Sequence, residues 1–256
     1  MISAGSDQAV QNLTLELIEG TDLRVLLRHL QSSGRRLGSG LTSYLAHALA
    51  SALDFAHTAD DEGHAAGIIH RDVSPSNVLL SNAGEIKLAD FGIAKATNLP
   101  GSIQSGALKG KVAYMAPEYA LGRACSPRSD LFSLGVLLYE CLAGRRPFDG
   151  DNELQTLDRA RRGRHEPIRA LAPDAPGPLV DGVESLLRPD PADRPPHARA
   201  FLLQLAEVGP PPLAHRDLGL LVRCATESGA ISAGPGLAST RPAPTRRPRK
   251  RLRSRG

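Results

Sequence analysis

The sequence has no tryptophan, and aromatic residues make up only 4% of its 256 positions. So few aromatic side chains disfavour nucleic-acid modules that stack bases on exposed rings. No apolar run reaches the roughly 18 residues that a membrane-spanning helix needs. Met1 is not followed by the basic and then apolar segments of a secretion signal. These absences predict a cytoplasmic protein.

Cysteine is also scarce. The three cysteines, Cys125, Cys141 and Cys224, are far apart and form no CxxC pair. This spacing argues against a disulfide framework and against a zinc site. Four histidines lie on or beside predicted helices without the spacing of metal ligands, so we assign them roles in the core or at the surface: His29, His47, His57 and His64.

The positive charge is concentrated at the end of the chain. Residues 241–256 hold eight basic residues and no acidic one. Removing these eight charges from the net charge of +4 leaves −4 for residues 1–240. The pattern of Pro and Arg in this tail is typical of a disordered segment, which is either simply solvated or in contact with a polyanion such as nucleic acid or an anionic membrane.

Apolar periodicity predicts a mainly helical body. Residues 13–18 alternate like a strand, and helical spacing follows over 22–30 and 41–59. Two short β-like runs at 77–81 and 85–90 flank Asn82-Ala83-Gly84, which is a hairpin signal. Residues 130–143 are apolar nearly all round, as in a central buried helix. Weaker helices are predicted near 152–162, 176–187 and 197–207, and order is expected to fade after Gly209.

Four motifs follow one another between the second helix and the central helix. They are His70-Arg71-Asp72, Asn77 five residues after the Asp, Asp90-Phe91-Gly92 thirteen residues further on, and Ala116-Pro117-Glu118. In order and spacing they resemble the protein kinase family, in particular bacterial serine/threonine kinases of the eukaryotic-like type. A match at so many fixed positions is far more specific than a lone GxGxxG.

The resemblance implies the transfer of the ATP γ-phosphate to Ser or Thr of protein substrates, with Mg²⁺ as the cofactor. It implies that Asp72 is the catalytic carboxylate, that Asn77 holds a metal, and that Asp90 chelates the Mg²⁺ that bridges the phosphates. Carboxylate and amide oxygens are ligands that this hard cation prefers.

Further positions carry the resemblance beyond the motifs. Residues 15–18 resemble the hinge that binds adenine, with Ile18 as the expected contact and Asp22 placed for the ribose. Asp130 resembles the buried acid that holds the catalytic loop from the start of the central helix. Glu118 and Arg194 resemble the buried ion pair of the family.

Two departures concern charge at the reaction centre. The catalytic loop reads HRDVSPSN, so Ser74 stands where the family usually has Lys, and Lys111 stands where it usually has Thr. We hypothesise that Lys111 supplies the missing charge; the alternative is an exposed lysine without a role. Arg71 suggests regulation by phosphorylation of the following loop, with Thr97, Ser102 and Ser105 as candidate acceptors.

The largest departure is an absence. No lysine precedes Lys87, and the first residues contain no GxGxxG motif, so the Gly-rich loop and the strand lysine of the family are missing from this sequence. The resulting expectation is an α+β, mainly helical fold like the kinase large lobe, with a short β-hairpin beside the catalytic loop and no small lobe. Its expected parts are an N-terminal remnant (1–11), hinge plus large lobe (12–208) and a basic tail (209–256).

Three functions remain open from the sequence. The first is a partial serine/threonine kinase domain that keeps its catalytic residues. The second is a pseudokinase-like module that binds a protein partner without chemistry, through apolar residues left uncovered where the small lobe normally sits. The third is a small-molecule phosphotransferase of related fold, which the DFG and APE-type motifs disfavour.

Overall fold

The structure is a computed structural model, which describes the backbone of residues 4–7, 10–13, 16–61, 64–65, 67–91 and 112–227. Side chains are described for residues 16–59, 67–91 and 112–227. Within these ranges helices predominate, and a three-stranded sheet stands beside them. The prediction of a mainly helical α+β fold is therefore confirmed.

The regular elements of the described ranges follow one another in this order. The strands are β1 (Ala4–Asp7), β2 (Val10–Leu13), β3 (Gly20–Asp22), β4 (Asp60–Asp61), β5 (His64–Ala65), β6 (Val78–Ser81) and β7 (Ile86–Leu88). The helices are α1 (Leu23–Ser32), α2 (Ser39–His57), α3 (Pro117–Ala120), α4 (Pro127–Ala143), α5 (Glu153–Arg162), α6 (Ile168–Leu171), α7 (Gly177–Leu186), α8 (Ala198–Gln204) and α9 (Ala214–Glu227). Single 3₁₀ turns occur at Pro75–Asn77, Val112–Tyr114 and Pro191–Asp193.

Helix α4 is the centre of the core. Its residues are buried on nearly every side, as its uniform apolarity predicts, and it packs against α2, α6 and α7. It begins with a capping box, in which the Ser126 and Ser129 side chains exchange hydrogen bonds with each other's backbone N–H. The start of a buried helix is thereby fixed, and Asp130 lies in its first turn.

Three antiparallel strands in the order β3-β6-β7 form the sheet beside the catalytic loop. The predicted hairpin is present as β6–β7, and β3 adds a strand on its other side through the pairing of Thr21 with Leu80. The strand predicted at 13–18 is wrong in its limits, because β2 ends at Leu13 and residues 16–18 have no regular structure. Alternation over 13–18 did not decide the limits, since pairing sets where a strand ends.

The expectation that order fades after Gly209 is wrong for residues 214–227. These residues form α9, which packs against α1, α2, β3 and β6. Leu218 and Val222 are fully buried on its inner face. Close packing is possible because Gly84, at φ +89° in the β6–β7 turn, and Gly219 of α9 meet where neither has a Cβ.

Nowhere in the described ranges does a helix combine the length and apolarity needed to cross a bilayer.

Candidate active site

Asp130 fixes the backbone of the catalytic loop from the first turn of α4. Its carboxylate accepts the main-chain N–H of His70 at 2.8 Å and that of Arg71 at 2.8 Å. The side chain is almost fully buried, and the N-terminus of a helix favours a negative charge. Arg71 adopts a left-handed backbone with φ 65°, a costly conformation for a non-glycine residue, which these hydrogen bonds help to hold.

His70 links the catalytic loop to the segment around Asp90. Its Nε2 lies 3.0 Å from the carbonyl oxygen of Ala89 and therefore carries the hydrogen, so Nδ1 accepts the main-chain N–H of Asp72 at 3.3 Å. Burial lowers the pKa of His70 below its ordinary value of 6.5, although the charge of Asp130 opposes this shift. The Phe91 ring packs on the imidazole with a centroid distance of 4.5 Å.

Asn77 brings the candidate catalytic and metal-binding residues together. Its side-chain amide donates to the main-chain carbonyl of Asp72 at 2.8 Å. The main-chain carbonyl of Asn77 accepts the N–H of Ala89 at 2.8 Å. Asp90 follows directly, in a left-handed conformation with φ 58°. Asn77 thus bonds directly to Asp72 and to Ala89, the residue before Asp90.

The donor set fits a magnesium ion. Because the Asn77 amide nitrogen is used by Asp72, the amide oxygen is the atom of that side chain suited to a cation. Asp90, which is exposed, offers a carboxylate. The described ranges hold no group of three His, Cys, Asp or Glu side chains that could bind a metal. Magnesium does not need such a group, because it usually takes one or two protein ligands beside waters and phosphates.

Of the two residues predicted to contact adenosine, Asp22 ends β3 of the same sheet and Ile18 lies two residues before β3. Asp22 caps α1 by accepting the N–H of Val25 at 2.9 Å, and in the β3–β6 pair it stands opposite Leu79. Val78 and Leu80 are buried, whereas Leu79 is half-buried on the other face of β6. Ile18 is also half-buried. Leu79 is a candidate contact to adenosine that the sequence analysis missed. The alternation of buried and half-buried residues along β6 would have indicated it.

The expected ion pair between Glu118 and Arg194 is present and buried. Two guanidinium nitrogens of Arg194 donate to the two carboxylate oxygens of Glu118, at 2.8 and 2.9 Å. Arg194 also donates to the carbonyls of Arg128, Arg188 and Pro189. Although burial alone would raise the pKa of Glu118, the hydrogen bonds and charge of Arg194 hold it below its ordinary value.

His57, the last residue of α2, was missed as part of the site. Its Nε2 lies 2.8 Å from Oδ2 of Asp130, and both side chains are buried. Its Nδ1 is buried without a hydrogen-bond partner in the described part of the chain. The contact joins residues 73 positions apart, so no local pattern around His57 could have indicated it.

Ser74 is buried, and its hydroxyl shares a hydrogen bond with Ser76 at 3.0 Å. Several residues singled out from the sequence lie outside the described ranges: Gly92, Lys111, Thr97, Ser102 and Ser105. So does the segment 228–256, which includes the eight basic residues at the end of the chain.

Comparison with known proteins agrees with the geometry. The family model for the protein kinase domain matches residues 1–204, which includes residues 1–11 and stops before α9. Among curated proteins, the serine/threonine-protein kinase PknA of Mycobacterium tuberculosis is 40% identical over 182 residues, 71% of this chain and 39% of PknA. The serine/threonine-protein kinase PknL of the same species is 33% identical over 245 residues, 90% of this chain and 58% of PknL.

A third relative, the tyrosine-protein kinase MasK of Myxococcus xanthus, is 43% identical over 153 residues, 59% of this chain and 24% of MasK. The chain thus spans less than two thirds of the length of each of these relatives. Because the family model covers well over half of the chain, the chain belongs to the protein kinase domain family.

Proposed function

We propose that the chain carries the large-lobe half of a serine/threonine protein kinase site, which transfers the γ-phosphate of ATP to a protein hydroxyl. One observation carries this proposal: the hydrogen bonds from Asn77 to Asp72 and from Ala89 to Asn77 hold the catalytic loop and Asp90 against each other. Phosphoryl transfer depends mainly on positioning and on charge, and this frame provides positioning.

In the proposed reaction Asp72 orients the substrate hydroxyl and accepts its proton. The hydroxyl oxygen forms a bond to the γ-phosphorus, the bond from that phosphorus to the bridging oxygen breaks, and ADP leaves. Asp72 can be held in place for this role by its own main chain, because its N–H donates to His70 and its carbonyl accepts from Asn77.

Asn77 and Asp90 are the proposed magnesium ligands, and Ile18 and Asp22 the proposed contacts to adenosine. When bound, Mg²⁺ neutralises the charge of the phosphates. The N-cap bond to Val25 uses one carboxylate oxygen of Asp22. The other contacts Arg24 only at the surface, and it is the atom that we assign to the ribose hydroxyls.

One positive charge that the family usually places at the γ-phosphate is absent, because Ser74 stands where the family usually has Lys. We propose that Lys111 contributes a positive charge that Ser74 cannot supply. Lys111→Met should then lower the rate of phosphate transfer, whereas Lys109→Met, a neighbouring control, should not. Equal rates in both variants would contradict this role.

The choice of hydroxyl rests on the relatives. PknA and PknL are named serine/threonine kinases, whereas MasK is named a tyrosine kinase. We propose Ser and Thr as acceptors. Peptides that differ only in Ser, Thr or Tyr at one position test this directly, and transfer to the Tyr peptide alone would contradict it.

Arg71 is the proposed receiver of a regulatory phosphate. Its side chain is exposed, and a guanidinium binds phosphate through paired, charge-assisted hydrogen bonds. The proposed acceptors remain Thr97, Ser102 and Ser105. Mass spectrometry of the chain after incubation with Mg²⁺-ATP would identify which of them is modified.

The deciding experiment is calorimetric binding of Mg²⁺-ATP to the 256-residue chain, followed by a radiolabel transfer assay, with Asp90→Asn as the matched control. Asn tolerates the left-handed backbone of residue 90 but removes the charge. Binding and transfer by the chain, lost in the variant, are the expected results. If neither this chain nor any longer chain that contains it binds ATP or an ATP analogue, the pseudokinase alternative is favoured.

A further inference from the structure

A cleft of about 680 Å³ lies on the large lobe outside the candidate active site. Its walls are the turn after α4, the last turns of α5 and residues 164–166. This volume lies within the range of about 300–1,000 Å³ that is usual for ligand pockets. The cleft is lined by five arginines: Arg145, Arg146, Arg159, Arg162 and Arg164.

Only part of this positive charge is neutralised. Three carboxylates line the cleft and pair with arginines: Asp149 with Arg146, Asp158 with Arg162, and Glu166 with Arg145. Arg159 donates instead to the main-chain carbonyl of Asp149. In the described part of the chain, neither Arg159 nor Arg164 makes an ion pair with a carboxylate. The cleft therefore has an excess of two positive charges.

The cleft adjoins residues 112–114 and helix α3. The guanidinium of Arg146 lies 6.0 Å from the ring centroid of Tyr114, a distance typical of a cation–π contact, and Tyr114 follows Lys111 by three residues. Helix α5 packs on residues 112–114 and on α3. At the other end of this surface, Glu118 of α3 accepts the hydroxyl hydrogen of Ser129 at 2.8 Å. The neighbouring Asp130 accepts the N–H groups of His70 and Arg71, directly before Asp72, so α3 lies beside the catalytic loop. A bound chain could pass from Asp72 over α3 to the cleft.

We propose that this cleft docks an acidic segment of the protein substrate, through carboxylate or phosphorylated side chains, while another part of the same substrate lies at Asp72. Arginine clusters recognise such groups because the guanidinium fork matches both oxygens of a carboxylate or phosphate. The proposal rests on the function proposed above, since it names a feature of the substrate of that site.

A peptide fits the cleft better than a nucleic acid does. Bases bind by stacking on exposed aromatic rings, but Tyr139 is buried, donates its hydroxyl to the carbonyl of Glu166, and packs edge-on against His165. The three carboxylates would also repel a continuous line of phosphates. Separate acidic side chains can reach Arg159 and Arg164 and leave the existing ion pairs intact.

The test uses the full chain and two fluorescent serine peptides that are identical except for a block of glutamates or a matching block of glutamines. Binding is measured by fluorescence polarisation at low and at physiological salt. The variant is Arg159→Gln/Arg164→Gln. The matched control is Arg199→Gln/Arg216→Gln, which removes the same charge from exposed positions on α8 and α9.

We expect the glutamate peptide to bind more tightly than the glutamine peptide, and the cleft variant to lose at least about tenfold in its affinity while the control does not. Equal losses in both variants, or no loss in either, would overturn the proposal, because binding would then occur elsewhere, for instance on the basic tail. Tighter binding of a short RNA that is lost in the cleft variant would overturn it as well, since the ligand class would be wrong.

Phosphate transfer to the glutamine peptide is measured in parallel. If phosphate is transferred to the glutamine peptide as well as to the glutamate peptide, the docking proposal is overturned and the kinase function stands. Binding of the glutamate peptide that depends on Arg159 and Arg164, without transfer to either peptide, contradicts the kinase function while the acidic docking site stands.

Discussion

The side-chain amide of Asn77 donates to the main-chain carbonyl of Asp72 at 2.8 Å, so one residue is tied both to the proposed base and, through its oxygen, to the proposed metal. Asn77→Asp keeps an oxygen ligand but has no hydrogen to donate, and it places a negative charge against a carbonyl. We expect kcat to fall about 10²-fold, because the catalytic loop is then less well positioned.

The Mg²⁺ dependence separates the two roles of Asn77. In Asn77→Ala, kcat should fall at least as far as in Asn77→Asp. Asn77→Ala should also require more Mg²⁺ for its half-maximal rate, whereas the Mg²⁺ requirement of Asn77→Asp should not rise. Steady-state kinetics of phosphate transfer over a range of Mg²⁺ concentrations measure both effects. An unchanged kcat in Asn77→Asp would contradict the positioning role.

The buried imidazole of His70 should make stability depend on pH. Its pKa is lowered in the folded chain from 6.5, so below about pH 6.5 the unfolded chain binds a proton that the folded chain does not. Stability should therefore be lost as pH falls through this window, by at most about 1.4 kcal/mol for each pH unit from this group.

Urea unfolding between about pH 5 and pH 7.5 checks this expectation against His70→Gln, since His has an unperturbed pKa in this interval and Gln does not titrate. The variant should be less stable at neutral pH, because it disturbs the bonds to Ala89 and Asp72. Its stability should also change less between the two ends of the range. The same pH dependence in both proteins would show that another group causes it.

The Glu118–Arg194 pair should be costly to break from one side. Arg194→Met leaves the Glu118 carboxylate buried without its partner and also removes donors from three carbonyls. We expect the free energy of unfolding to fall by about 3 to 5 kcal/mol. The double variant Glu118→Leu/Arg194→Met should lose less than the two single variants added together, because no charge is left buried. Strict additivity in chemical unfolding would contradict this account.

The crossing of α9 over the β6–β7 turn predicts different effects at two glycines. Both Gly34 and Gly84 have a left-handed backbone, but a Cβ at Gly34 meets nothing, whereas one at Gly84 would lie 1.7 Å from the carbonyl oxygen of His215. Gly34→Ala should cost about 1 to 2 kcal/mol of stability.

Gly84→Ala should cost clearly more than Gly34→Ala, because α9 must move away from the sheet as well. Thermal unfolding of the two variants makes the comparison directly. Equal losses at the two positions would mean that α9 contributes little to holding this turn.

Much of the fold and of the site was predictable because the relevant signals are local. The spacing of Asp72, Asn77 and Asp90 indicated one site, and uniform apolarity over 130–143 indicated α4. Helix α9 carried a local signal as well, since Ala214, Leu218, Val222 and Ala225 have helical spacing. The prolines before it and the polar composition after it hid that signal.

Other features depended on contacts between distant parts of the chain. The limits of β3 depend on its pairing with β6, which lies about 60 residues further along the chain. His57 meets Asp130 only because α2 packs along α4. Neither relationship has a periodic or compositional signature, so no inspection of the residues near either position would have found it.

The pairing of Asp22 with Leu79 sets limits on how the site can move. Asn77 lies two residues before Leu79, so the proposed ribose contact and the proposed metal ligand belong to one hydrogen-bonded unit that α9 braces from a further side. Any closure of the site around a nucleotide must therefore displace other parts of the protein, while the distance between Asp22 and Asn77 stays constant. Spectroscopic labels placed across β3 and β6 would report no change when ATP binds, and they would serve as the stationary reference against which motion elsewhere is measured.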